Sequence, residues 1–291
     1  MKDLILSPNK WTYDLWNDIL IPKLVSVGWT DLGTQTVSVN LYGTVYNELF
    51  RGVKNSLGQV FCLENGAYGL FTIIPSTKNT PGNFIPDLTQ LNWRVVGLKT
   101  PKANEAWAEN LVFDNNFVFY YSDKSFILID VSNIKTDWNN TYFKSTRYNP
   151  VLMFLSISPN IFLIAGANLL SLSGYFRNDI IVVKDGIYIY NQDPLSNTLI
   201  PELSIDSNLV KTGFTPPYHW VPDSGYINAY FPKIFINNEL IDQDYIISFT
   251  GTYDIPHNTN IGNFDIFYLH KAYPNYIYYY NNYIGVNKNK F

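Results

Sequence analysis

Two apolar runs joined by only two residues constrain this chain more than any other feature. Residues 179–184 (DIIVVK) and 187–190 (IYIY) are rich in β-branched and aromatic side chains, and Asp185 and Gly186 alone separate them. An Asp-Gly pair supplies the positive φ that a two-residue turn demands, so the segment is expected to close as a tight antiparallel hairpin. A second hairpin is expected where residues 233–236 (KIFI) meet residues 239–249 (ELIDQDYIISF) across Asn237 and Asn238. Elsewhere Val37, Val39, Leu41 and Val45 alternate with polar residues, the period of a half-buried strand. Further strands are expected at 59–63, 68–74, 93–98, 117–121, 125–131, 265–270 and 276–284, with turns at Glu64-Asn65-Gly66 and Ser122-Asp123-Lys124. Composition agrees: 29 Ile and 23 Tyr stand against 8 Ala and 6 Glu, so strand formers far outnumber the strongest helix formers. The expected fold is mainly β, built of β-sandwich or barrel-like modules.

One helix is expected at the beginning. Ser7 followed by Pro8 suits an N-cap and first helical position, and Trp11, Leu15 and Ile19 then recur every four residues. Pro22 should kink or end this helix, with a further turn stopping at Gly28. Residues 102–109 (KANEAWAE) read as a second short helical turn. The polar stretch 132–148 has no period, which places a soft boundary near residue 145. The chain then divides into a helix plus β domain (1–145) and a β-sandwich-like domain (146–291).

Charge and cysteine usage narrow the function classes. The 20 Lys and Arg against 24 Asp and Glu leave a net charge of −4, so there is no positive field to bind nucleic acid through counterion release. Cys62 is the single cysteine, so no intramolecular disulfide exists, and its setting in QVFCL reads as a buried, inert thiol. Residues 151–176 carry no charge and are long enough to cross a bilayer, but Ser158-Pro159-Asn160 breaks them into two runs that fit buried strands better than a membrane span. The first residues lack the basic start and long apolar run of a signal peptide. Expression in a reducing cytosol, with no membrane span, is the expectation.

Catalytic and metal-binding patterns give no positive support for an enzyme. His219, His257 and His270 lie far apart, no second cysteine completes a zinc set, and Asp242-Gln243-Asp244 lacks the glycine and terminal glutamate of a calcium loop. No phosphate-binding glycine loop and no G-x-S-x-G elbow is present. Paired carboxylates for glycoside hydrolysis leave no spacing signature; Asp223, Asp242, Asp244 and Asp254 are the candidates, and turn or strand-end roles suit all four. The expectation is a non-enzymatic chain without cofactor or metal. Binding has one candidate, the cluster Tyr218, Trp220, Tyr226 and Tyr230, beside Pro216, Pro217 and Pro222, which would stiffen the loop. A sugar-stacking platform, core filling and a subunit interface all suit these aromatics. Asn, Ile, Tyr and Lys all have AT-rich codons, so tyrosine richness alone argues for none of the three.

Residues 233–253 (KIFINNELIDQDYIISFTGTY) resemble a pattern of tailed-bacteriophage tail, baseplate and fibre proteins: a strand, a turn often written Asn-Gly, a short Leu-x-x-x-Asp-Tyr step and a strand ending in a β-structured segment. Phe235-Ile236-Asn237-Asn238 and Asp244-Tyr245 occupy those positions, with Asn238 where glycine is commoner, and residues 262–267 (GNFDIF) resemble the partner strand that closes the unit. Trp16, Lys23-Leu24 and Gly28-Trp29, and later residues 92–131, have a similar character to small virion proteins. The resemblance covers about half the chain in scattered pieces. It implies a structural subunit of a phage or phage-like particle, in the tail, baseplate or neck. Such a subunit would assemble in the host bacterial cytoplasm with itself, in a ring or another homo-oligomer, and with other virion proteins; the resemblance implies no catalytic residues. The alternative is a carbohydrate-binding β-sandwich module or receptor-binding tip that contacts host surface glycan through the Trp220 cluster.

Overall fold

The computed structural model describes residues 1–5, 15–41, 44–65, 70–75, 84, 96–99, 116–131, 151–166, 180–185, 187–190, 203–206, 227–230, 233–236, 239–241, 243–251, 259–269 and 281–291. Strand β1 (Lys2–Ile5) comes first, and a π-helical turn (Trp16–Leu20) runs directly into α1 (Ile21–Ser26). A five-stranded antiparallel meander follows: β2 (Thr30–Leu41), β3 (Thr44–Lys54), β4 (Val60–Asn65), β5 (Leu70–Pro75) and β6 (Val96–Lys99). Six more strands continue the meander in a second sheet: β7 (Phe117–Tyr121), β8 (Phe126–Asp130), β9 (Val151–Ser158), β10 (Ile161–Gly166), β11 (Ile180–Lys184) and β12 (Ile187–Tyr190). Strand β1 pairs with β7 and brings this sheet to seven strands. The remaining strands are β13 (Leu203–Asp206), β14 (Ile227–Tyr230), β15 (Lys233–Ile236), β16 (Glu239–Ile241), β17 (Ile246–Gly251), β18 (Thr259–Ile261), β19 (Phe264–Leu269) and β20 (Asn281–Asn287). Strands β13, β15 and β16 form a small sheet, and the rest form a five-stranded one in the order β14-β17-β20-β19-β18.

The seven-stranded sheet is the middle layer. Strand side chains alternate between faces, and here both sets are buried. Phe117, Phe119, Tyr121, Phe126, Leu128, Leu152, Phe154, Phe162 and Ile164 pack with the helical segment, Trp29, Val53, Phe61 and Leu63. The intervening Val118, Tyr120, Ile127, Ile129, Val151, Met153, Leu155 and Leu163 pack instead with Ile246, Phe267, Ile284 and Val286. The sheet is thus covered by α1 and the β2–β6 sheet on one side and by the C-terminal five-stranded sheet on the other. This explains the uncharged stretch from Val151 to Gly166: β9 and β10 are adjacent interior strands, and from Val151 to Ser156 and Phe162 to Ala165 their side chains are buried on both faces. Among the described residues no helix is long and apolar enough to cross a membrane.

An aromatic cluster forms the first interface. Trp29 meets Phe61 and Phe154 edge-on at centroid distances of 5.7 and 5.5 Å, Trp16 meets Phe126 edge-on at 5.7 Å, and Phe126 stacks on Phe154. These are the geometries in which ring quadrupoles attract. Polar side chains then pin the turns at one end. Asn55 accepts from the N–H groups of Leu57 and Gln59 within the β3–β4 turn and donates to the Lys124 carbonyl of the β7–β8 turn. Gln59 donates to the carbonyls of Ser158 and Pro159 in the β9–β10 turn, and the Trp29 indole N–H donates to Ser122.

The helix shows how Pro22 is accommodated. Pro22 has no N–H, and its ring would crowd the carbonyl four residues back in a regular helix. The preceding turn is π-helical, with the Ile21 N–H bonded to the Trp16 carbonyl five residues earlier. At the far end Gly28 adopts φ +106°, and the Trp29 N–H bonds back to the Leu24 carbonyl, a Schellman closure.

Most expected strands are present, with three differences. Residues 239–249 do not form one strand: β16 and β17 belong to different sheets, because the Gln243 side chain turns the chain between them. Its Oε1 accepts from the N–H groups of Tyr245 and Ile246 while its Nε2 donates to the Ile246 carbonyl. Strand β19 does not pair with β17, since β20 lies between them. Strands β1, β13, β14 and β18, too short or too polar to read as periodic runs, complete the sheets. The Asp185-Gly186 hairpin forms as expected, with Asp185 at φ +52°. The boundary near residue 145 and the helical turn at 102–109 lie outside the described residues; β8 and β9, on either side of that boundary, are hydrogen-bonded neighbours.

Two outcomes test this packing. Phe154→Ala empties the meeting point of Trp29, Phe61, Phe126 and Phe162 and should cost about 3–5 kcal/mol in urea denaturation. Gly52→Ala should cost about 1–3 kcal/mol, because a Cβ there would lie 2.6 Å from the Phe84 ring, which covers the outer face of the β2–β6 sheet.

Candidate interaction surface

Of the expected aromatic cluster, Tyr218, Trp220 and Tyr226 lie outside the described residues. Tyr230 ends β14, at the border of the C-terminal sheet, where its backbone is in register with Ser248 of β17. The three histidines and Asp223, Asp242 and Asp254 also lie outside the described residues. Asp244 is exposed and paired with Lys290 at 2.6 Å. Cys62 is buried against Leu32, Phe50, Val60 and Phe84, as expected of an inert thiol.

The charged side chains that the fold does bring together act across layers. Asp265 on β19 is 3% exposed; its Oδ2 accepts from Lys2 Nζ of β1 at 2.8 Å and from the Tyr120 hydroxyl of β7, and Lys288 stands 3.7 Å from its Oδ1. Burial by itself would raise the Asp265 pKa, but Lys2, Tyr120 and Lys288 outweigh it and hold the carboxyl below its ordinary range. Burial first, and then the Asp265 carboxylate, push the Tyr120 phenol well above its usual value. The Lys2 ammonium also lies over the Tyr120 and Phe267 rings, at 5.4 and 5.6 Å. On the opposite face Asp3 joins Lys23 of α1 to the Tyr121 hydroxyl, and these hydrogen bonds, Lys23's foremost, lower its pKa; the Tyr121 phenol is pushed up to about 12. Consecutive residues of β1 therefore clamp opposite covers of the central sheet: Lys2 holds the C-terminal sheet and Asp3 holds the helix. Partners 263 and 145 residues apart in sequence leave no local signal of this arrangement.

A surface of a different kind lies on the β2–β3 hairpin. Its strands pair from Thr30–Lys54 out to Leu41–Thr44, but β4 pairs with β3 only from Phe50 onward. Among the described residues, Thr36–Leu41 and Thr44–Leu49 therefore run past β4 as a two-stranded ribbon, with Val37 half-buried against the cluster of Leu32, Phe50 and Phe84. Thr36 and Ser38 are exposed, Ser38 donating to the Asn47 side chain, and Val45 is 65% exposed. The base of the ribbon is fastened by a two-pronged Arg51–Asp31 pair, with Arg51 also bonded to Asn17 beside the helix. A register shift at Asp31/Gly33 bends β2 at the same level, with Gly33 at φ +82°. Beyond it, residues 34–41 (TQTVSVNL) contain no charge, proline or glycine, and the described residues place no strand on the outer side of β2. The alternation of Val37, Val39 and Leu41 marks a strand; it carries no sign that the strand outruns its sheet.

No protein-family model matches the chain, and no curated protein or solved structure does so either.

The interlayer clamp has a pH signature. Asp265 has a lowered pKa in the folded protein, so its contribution is present above the ordinary Asp value of 3.8 and is lost as pH falls through the folded-state value. Asp265→Asn and Tyr120→Phe should each cost about 1–3 kcal/mol at pH 7. A double-mutant cycle should show coupling of at least ~0.5 kcal/mol, and Asp265→Asn should flatten the acid limb of the stability curve.

Proposed function

We propose that this chain is a non-enzymatic structural subunit of a phage or phage-like particle, working in a tail, baseplate or neck assembly through protein–protein interfaces. The observation that carries the reading is the projecting β2–β3 ribbon. An isolated two-stranded ribbon is marginal in water, and a long unguarded strand edge is a hazard for a free monomer. Both features suit a subunit whose neighbour covers them. The rest of the molecule fits the same role. The central sheet has its two faces filled by side chains of its own covering layers, and interlayer ion pairs tie those layers together, which yields a stiff building block. The resemblance of residues 233–253 to virion proteins points the same way. Assembly in a bacterial cytoplasm requires no disulfide, and the single buried Cys62 is compatible with that.

Particles purified from the culture that encodes the chain test the proposal. The protein should co-sediment with intact particles at a fixed copy number, and antibody labelling should mark one location on each. Complete, infectious particles that lack the protein would refute it.

A further inference from the structure

We infer that the outer edge of β2, from Thr34 to Leu41, is a homotypic docking strand: it pairs antiparallel with the same edge of a second copy about a two-fold axis. This deepens the assembly reading by naming the partner and the strand. The first ground is the contrast along β2. Its base is guarded by the features that keep sheet edges from pairing, a bulge at Asp31/Gly33 and a charged Asp31–Arg51 pair. Past that level every guard stops, for eight residues and through the whole projecting ribbon, in which Glu48 on β3 is the only charged residue between 34 and 49. Natural edge strands of this length ordinarily carry a lysine, a proline or a bulge.

The second ground identifies the occupant. An acidic or basic strand would find no counter-charge on residues 34–41, whereas two copies of a neutral strand approach without repulsion. Antiparallel pairing of identical strands is self-complementary, so one edge supplies both halves of a closed two-fold contact. An axis through Val37 sets exposed Thr36 opposite Ser38 of the second copy, and Ser38 opposite its Thr36, two hydroxyl pairs of the kind that favour cross-strand association. The two five-stranded sheets then become one continuous ten-stranded sheet, with each ribbon stiffened by the other.

Sedimentation velocity over a concentration series tests this with the full chain, Thr36→Lys/Ser38→Lys, Thr36→Glu/Ser38→Glu, and an equimolar mixture of the two variants. Both sites are exposed, and near-UV circular dichroism checks that each variant keeps its packing. The wild type should show a concentration-dependent dimer. Each variant should weaken it at least about tenfold, because like charges then face each other twice, and the mixture should restore it. Amide exchange of residues 34–41 in the wild type should slow as concentration rises, a readout that needs no variant. A dimer indifferent to both substitutions, or exchange of residues 34–41 that ignores concentration, overturns the docking strand. A wild type that is monomeric throughout yet present in particles also overturns it while leaving the assembly reading standing; a monomer absent from particles overturns both.

Discussion

The middle strands of the seven-stranded sheet, β7 to β10, are buried on both faces, and the rest of the structure is arranged to make that possible. An antiparallel sheet usually keeps one face wet and alternates accordingly. Here Phe117 to Tyr121 and Val151 to Ser156 are buried at every position. Each face therefore needs a separate cover. The N-terminal third of the chain supplies one, as α1 and the β2–β6 sheet, and the last fifth supplies the other, as β17, β19 and β20. Removal of either cover would expose a contiguous row of Phe, Leu and Ile side chains, an apolar patch of the sort that drives association.

Apolar burial is non-directional, so it does not by itself set how the covers lie on the sheet. Polar contacts do that here. Lys2–Asp265–Tyr120 fixes the C-terminal sheet against β7, Asp3–Lys23–Tyr121 fixes the helix against the same strand, and the Asn55–Gln59 network ties three turns at one end. Tyr120 and Tyr121 are sequence neighbours that point to opposite faces, and each hydroxyl meets a carboxylate delivered by another element. The short strand β1 thus does two things at once: it lengthens the central sheet and supplies one charged group to each face.

The treatment of edges differs across the molecule. Residues 276–284 are expected from sequence to form a strand; of these, 276–280 lie outside the described residues, and β20 (Asn281–Asn287) lies between β17 and β19, paired on both sides within the chain. Among the described residues β2 is an edge strand with no neighbour on its outer side, although its alternating pattern looked like that of any half-buried strand. Periodicity reports which face of a strand is apolar, and it contains nothing about how many neighbours the strand has. Likewise the split of residues 239–249 between two sheets depends on a single side chain, Gln243, folding back on the backbone, and no window of hydrophobicity registers such a turn.

The sequence by itself determined what is local. The Asp185-Gly186 turn, the stop at Gly28, the strand identity of most apolar runs, the burial of Cys62 and the break of the uncharged stretch at Ser158-Pro159-Asn160 all follow from backbone preference and side-chain chemistry within a few residues. Only the tertiary structure decided which sheet is central, which strand is an edge, and that Asp265 meets Lys2 and Tyr120. Those outcomes depend on contacts between residues more than a hundred positions apart, where chain order imposes little and the mutual fit of whole faces chooses the partner.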